Sequence, residues 1–181
     1  YKANAIGNAP AHIIPSYNSG NLNYASVVKT IFRTTAVGSE CLYNNYGDDN
    51  TALGYRAGHF NKTGNYNTLI GSESNYGVSG DSIQYVTSVG YQCLKNNKGN
   101  SNTAVGYKAG FSNSEDTYVD NIFIGYEAGY WTKGKYNTLV GYESNKGVEG
   151  MDAMDAVTSV GYQCLKNNQG DSNTAIGYQA G

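Results

Sequence analysis

Residues 102–110 read NTAVGYKAG, and near-copies stand at 50–58 as NTALGYRAG and at 173–181 as NTAIGYQAG. Aligning the glycine that follows the branched aliphatic residue finds nine copies: Gly38, Gly54, Gly71, Gly90, Gly106, Gly125, Gly141, Gly161 and Gly177. Their spacings are 16, 17, 19, 16, 19, 16, 20 and 16 residues. The residue before the glycine is branched and aliphatic every time: Val37, Leu53, Ile70, Val89, Val105, Ile124, Val140, Val160 or Ile176. Threonine stands three positions before the glycine in eight of the nine copies, with Ile122 the exception. Tyrosine follows in seven (Tyr55, Tyr91, Tyr107, Tyr126, Tyr142, Tyr162, Tyr178), and Ser39 and Ser72 fill the other two. Next comes Glu, Arg, Gln or Lys, and the third residue after the glycine is always small: Cys41, Ala57, Ser74, Cys93, Ala109, Ala128, Ser144, Cys164 or Ala180. A longer repeat encloses these, since VTSVGYQCLKNN occurs at 86–97 and again at 157–168, 71 residues on.

The period selects the architecture. Helix-pair and propeller repeats need roughly 33 to 50 residues, whereas 16 to 20 fits one coil of a β-solenoid. Within T-A-h-G-Y, alternation places Thr, the aliphatic residue (h) and Tyr on one side of a strand and Ala and Gly on the other. The aliphatic residue is expected to point into the roll, stacked on its equivalents at about 4.8 Å, so that nine rungs span roughly 45 Å. The Ala and Gly side leaves room for a second layer of the roll or another chain. The repeated glycine is expected to serve a bend or a close backbone approach.

Between motifs, NNYGDDN (44–50), NKTGNYN (61–67), NNKGNSN (96–102) and NNQGDSN (167–173) read as Asn, Gly and Asp turns. Three longer spacers, 75–86, 111–121 and 145–157, are insertions of the kind that gather on one face of a solenoid, often its binding face. Residues 1–33 are divergent: Ala5, Ile6 and Gly7 resemble a decayed rung, and Pro10, Pro15 and NYASVVKTIF (23–32) fit no period. They read as a cap or a junction, with the repeat region running from 34 to 181 and continuing beyond.

At 181 residues, 39% apolar and 14% charged, with 18 Tyr and 24 Gly, the chain can bury only a thin core along an axis. A net charge of −2 without a basic run argues against a nucleic-acid surface. No apolar stretch approaches the roughly 18 residues of a membrane helix, so no membrane insertion is expected.

Cys41, Cys93 and Cys164 share a position otherwise held by Ala or Ser, and read as small buried free thiols several rungs apart. His12 and His59 lie outside the rung pattern, and a stacked roll offers little concavity for catalysis, so no catalytic residues are assigned. Asp48 with Asp49, Glu115 with Asp116 and Asp120, and Asp152 with Asp155 read as solvated loop charge; no metal or cofactor is expected. Asn61-Lys62-Thr63 is a glycosylation sequon only in a eukaryotic secretory route. One threonine per rung between Tyr and charged neighbours makes a poor ice-binding array. The loop aromatics Phe60, Phe111, Tyr118, Tyr130 and Trp131 are the candidate binding residues, because exposed rings stack on sugars and anchor interfaces; the competing reading has them packing the flank of the roll.

The motif copies resemble the short repeats in the heads of trimeric autotransporter adhesins, and more closely the repeats of tail-fibre and surface-fibre proteins of bacteriophages and large viruses. The resemblance covers roughly residues 34–181. It implies a left-handed parallel β-roll, three chains about a common axis and heads that bind host molecules. The rungs depart from the adhesin pattern, being longer than its roughly 14 residues and carrying Thr-Ala-Val-Gly-Tyr in place of Ser-Val-Ala-Ile-Gly. The expectation is an all-β, homotrimeric β-solenoid in a virion or cell-surface fibre, joined to neighbouring fibre domains and presenting loops to a host glycan or protein. Two alternatives are a purely structural filament and a polysaccharide-degrading tailspike using the row Glu40, Glu73, Glu127 and Glu143.

Overall fold

The computed structural model describes residues 33–43, 45–78, 82–111, 119–150 and 153–181. The expected cap or junction over 1–33 lies, apart from Arg33, outside the described residues. Nine three-residue strands form: β1 (Thr35–Val37), β2 (Thr51–Leu53), β3 (Thr68–Ile70), β4 (Thr87–Val89), β5 (Thr103–Val105), β6 (Ile122–Ile124), β7 (Thr138–Val140), β8 (Thr158–Val160) and β9 (Thr174–Ile176). They make one parallel sheet in chain order, with Thr35 opposite Thr51 at one end and Val160 opposite Ile176 at the other. Among the described residues there is no helix. The chain is a β-solenoid, one rung per motif.

Hydrogen bonding between rungs continues well past the strands. Gly54 N–H donates to Val37 O at 2.8 Å, Arg56 to Ser39 at 2.9 Å, Leu42 to Ala57 at 2.9 Å and Gly58 to Ser74 at 3.0 Å. A rung therefore satisfies its backbone from the rungs above and below, which a short strand alone cannot do.

That close stacking explains the repeated glycine. From Gly38 to Gly161 it adopts φ between +123° and +139°, and a Cβ there would lie 2.0 to 2.4 Å from the carbonyl oxygen of the next glycine in the row. Both the bend and the close approach expected from the motif are present. Two residues later the chain enters the left-handed region with ordinary side chains, from Glu40 (φ 54°) through Glu127 (φ 51°) to Gln179 (φ 50°). The inter-rung amide bonds offset this unfavourable conformation, which is seldom held without such support.

The inward row corrects the sequence reading. The middle residue of each strand enters the roll: Ala52, Leu69, Ser88, Ala104, Phe123, Leu139 and Ser159 are buried. The aliphatic residues face outward, with Leu53 48% exposed, Ile124 39% and Ile176 71%. The reason is width. The small residue three past the glycine is also buried, so strand and turn approach too closely for a row of Val and Ile between them. Larger side chains enter only where glycine makes room: a Cβ on Gly58 would lie 2.6 Å from Leu69 Cδ1 and 2.7 Å from Leu42 Cδ2, and one on Gly110 would lie 2.7 Å from Phe123.

Polar core groups are paired across this narrow space. Ser74 Oγ lies 2.8 Å from Ser88 Oγ, and Ser144 Oγ 2.8 Å from Ser159 Oγ. The asparagine before the strand threonine forms a second row: Asn67 Nδ2 donates to Asn50 Oδ1 at 2.9 Å and to Ile83 O at 2.6 Å, and Asn121 Nδ2 donates to Asn102 Oδ1 at 3.1 Å. The described parts of spacers 75–86 and 145–157 also feed the core, contributing buried Ile83, Val86, Met154 and Val157. The three thiols are buried and free, as expected, and burial pushes Cys41 and Cys93 up to about 11. Asn61 is fully buried with its Oδ1 accepting from Ile83 N–H at 3.1 Å, so the folded sequon presents no acceptor amide.

Replacing Gly106 by Ala is expected to destabilise the fold by about 3 kcal/mol or more, through both φ and the carbonyl clash. Gly150→Ala, where a Cβ meets nothing within 4 Å, is the control, with an expected loss of about 1 kcal/mol from its φ of +84°. Urea unfolding of both variants measures the difference.

Candidate interaction face

Three outward rows run the length of the sheet. Threonine forms the first, broken by Ile122; the aliphatic residues form the second; the tyrosine after the glycine forms the third. Rings of Tyr91, Tyr107, Tyr126, Tyr142, Tyr162 and Tyr178 stack in one continuous series, with centroids 5.0 to 5.5 Å apart and planes within 18°. The spacing follows from the strand spacing, since each ring rides on a residue in register with the last. On the other flank Tyr66 and Tyr85 stack at 5.3 Å, and Tyr136 holds the same position two residues before a strand threonine. All three are exposed, with φ near +60°. The result is a face of Thr and aliphatic side chains bordered on one side by the tyrosine row, which Ser39 and Ser72 interrupt, and on the other by Tyr66, Tyr85 and Tyr136 among smaller or charged residues. Leu53, Val105, Ile122, Ile124 and Ile176 are exposed along it.

A different surface forms at the turn after the glycine. Its two rows interleave charge with rings. Tyr43, His59 and Tyr76 stack at 5.1 Å steps, Lys95 lies 5.9 Å from the Tyr76 ring and 6.0 Å from Phe111, and Phe111 stacks on Tyr130 at 4.8 Å. Alongside, Arg56 Nε meets Glu40 Oε2 at 2.6 Å and Lys95 Nζ meets Glu73 Oε2 at 2.8 Å. Lys146 bridges Glu127 at 2.6 Å and Glu143 at 2.9 Å, and Lys166 reaches Glu143 at 2.8 Å.

These contacts favour the charged form of three of the carboxyls. Burial would raise the Glu143 carboxyl, but hydrogen bonds from Lys166, Lys146 and Gln163 outweigh it and bring it down to about 2. The Lys95 hydrogen bond holds Glu73 below the usual carboxylate range, and Arg56 does the same for Glu40. A general acid for glycoside cleavage needs the opposite shift. Burial lowers His59, whose Nε2 lies 3.3 Å from Glu40 while Tyr43 and Tyr76 cover its faces.

The loop aromatics fall in this turn surface and in two separate groups. Phe60 is half-buried, edge-on to His59 at 4.4 Å and to Tyr76 at 5.0 Å. Phe111, Tyr130 and Trp131 come together, Trp131 edge-on to Tyr130 at 4.8 Å. Their rings lie against one another, in keeping with flank packing. Tyr118 lies outside the described residues. The exposed face was missed as a site because the aliphatic row was expected inside; its signal was the same T-x-h-x-Y alternation, assigned to the opposite side. Among the described residues, no group of three or more His, Cys, Asp or Glu is placed to share a metal ion. A hollow of about 360 Å³ is lined by Gln163, Leu165, Lys166, Asn168 and Gln179 among others.

Because Glu143 is held below its ordinary 4.5, the stability its ion pairs supply is complete above about pH 4.5 and lost as pH falls toward 2. The melting temperature of Glu143→Gln is therefore expected to lie below that of the parent at pH 7, and to converge with it near pH 2. Comparisons with protein-family models, with curated proteins and with solved structures found no match.

Proposed function

We propose that residues 34–181 form a stiff segment of an extracellular fibre on a virion or cell surface, three chains associating through the outward face of the sheet. The observation that carries this is the row of exposed aliphatic side chains beside the stacked tyrosines. Nine strands at about 4.8 Å, each contributing about 20 Å of outward chain, give a face of about 800 Å², the share one partner contributes to a standard stable interface. The repeat spacing favours a second copy as occupant, since only a surface with the same rung period matches every row. Three chains in a left-handed roll is the arrangement the adhesin and viral-fibre resemblance implies.

The turn surface supports a solvent-facing role: its charges are paired, and its rings are engaged with neighbours. Three copies of each spacer would then present the same chemistry three times, and weak contacts to a host glycan or protein would add through multivalency. The lowered carboxyls of Glu40, Glu73 and Glu143, paired with Arg56 and with lysines, give no support to a tailspike hydrolase.

Light scattering on this segment is expected to give three times the 19.4 kDa chain mass. Replacing Ile124 and Val105 by Asp is expected to return a monomer with an unchanged far-ultraviolet spectrum, because both side chains are exposed within one chain. A folded monomer for the parent protein overturns self-association through this face.

A further inference from the structure

The fourth residue after the repeated glycine completes the roll interior and follows its own pattern. It is Leu42, Leu94 and Leu165 in three rungs, Gly58, Gly110, Gly129 and Gly181 in four, and Asn75 and Asn145 in the remaining two. Leucine in one rung lies over glycine in the next: a Cβ on Gly58 would meet Leu42, one on Gly110 Leu94, and one on Gly181 Leu165. The asparagines break that scheme, once in each 71-residue unit. Backbone conformation does not require them. Asn75 and Asn145 have φ of 43° and 39°, but Leu42, Leu94 and Leu165 hold φ of 48°, 49° and 49° at the same position.

What asparagine adds is its amide, and that amide lacks partners in the protein. Asn75 and Asn145 are fully buried. Their main chains are bonded, Asn75 N–H to Cys93 O at 2.8 Å and Asn145 N–H to Cys164 O at 2.8 Å, while Asn145 O accepts from Thr132 Oγ1 at 2.6 Å. Both Nδ2 and Oδ1 of Asn145 are unpartnered, as is Nδ2 of Asn75. Asn97 Nδ2 reaches Asn75 Oδ1 only at 3.5 Å, and makes its better bond to Gly99 O at 2.9 Å. Asn61, in the place that Thr132 holds in the second unit, is also fully buried with Nδ2 unpartnered. A buried amide without partners carries a desolvation penalty that a marginally stable fold does not bear twice without return.

We infer that each 71-residue unit encloses a buried water site, built on Asn75 in the first unit and on Asn145 in the second. Water suits the donor set, since it accepts from Nδ2 and donates to Oδ1, and buried waters typically make two to four such bonds. An ion does not suit it. An ion entering the interior would lose its hydration, and a neutral amide supplies no countercharge in return. The interior of the rod thus alternates layers closed by leucine over glycine with one hydrated layer per unit.

The test is water-to-amide cross-relaxation in the 15N-labelled protein. The side-chain Nδ2 protons of Asn75 and Asn145 are expected to show cross-peaks at the water frequency with the sign of a molecule tumbling with the protein. In Asn145→Gly, which the left-handed φ accommodates, the Asn145 peak disappears and that of Asn75 persists. A crystal structure of the parent protein at better than about 1.8 Å is expected to show a peak 2.7–3.2 Å from Asn145 Nδ2 and Oδ1, unchanged by a bromide soak. Absence of both cross-peaks, or a crystallographically empty pocket, overturns the proposal. A peak replaced by bromide overturns it too, because the ligand is then an anion.

Discussion

Every rung must lie one strand spacing from its neighbours around most of its perimeter, and the other features of this molecule follow from that distance. At about 4.8 Å, main-chain amides and carbonyls of adjacent rungs satisfy one another, and nothing larger than a hydrogen fits where two backbones face directly. The row from Gly38 to Gly177 marks that line of contact. The same stacking holds Glu, Arg, Gln and Lys in the left-handed region two residues later, a conformation each would avoid if its amide were not bonded to the preceding rung.

In-register stacking also places like upon like. Tyr91 to Tyr178 become a ring series, asparagines become amide rows interrupted at Val86 and Val157, and the residues at the turn become columns in which equal charges would meet. The chain offsets that repulsion by interspersing Arg, Gln and Lys among the glutamates of one column, and where Glu127 and Glu143 stand in consecutive rungs Lys146 from the neighbouring column bridges them. Every such device appears on the turn surface. The sheet surface has no comparable resolution within one chain, since its aliphatic and tyrosine rows remain open, and this asymmetry is what a fibre built from several copies would use.

Much of this was legible because a repeat converts one line of sequence into a column. The solenoid, the role of the glycine and the burial of Cys41, Cys93 and Cys164 as small residues could be read from nine aligned copies. The direction of each column was less legible. Alternation separates Thr, Val and Tyr from Ala and Gly without naming the inner side, and hydrophobicity favoured the wrong one. The long spacers suffered the same ambiguity: they looked like binding insertions, yet Ile83, Val86, Met154 and Val157 are core residues. The ring contacts of the loop aromatics were illegible too, because Phe60 meets Tyr76 and Phe111 meets Tyr130 across rungs, 16 and 19 residues away.

The sequence by itself determined the rung period, the parallel register and the identity of each column, because these depend on local geometry repeated at fixed intervals. Only the tertiary structure decided which columns face inward, how leucine and glycine alternate through the interior, and where the amides of Asn75 and Asn145 are left unmatched. Those outcomes depend on the width of the roll, which is set by how closely strand and turn approach across the core and not by any one segment of the chain.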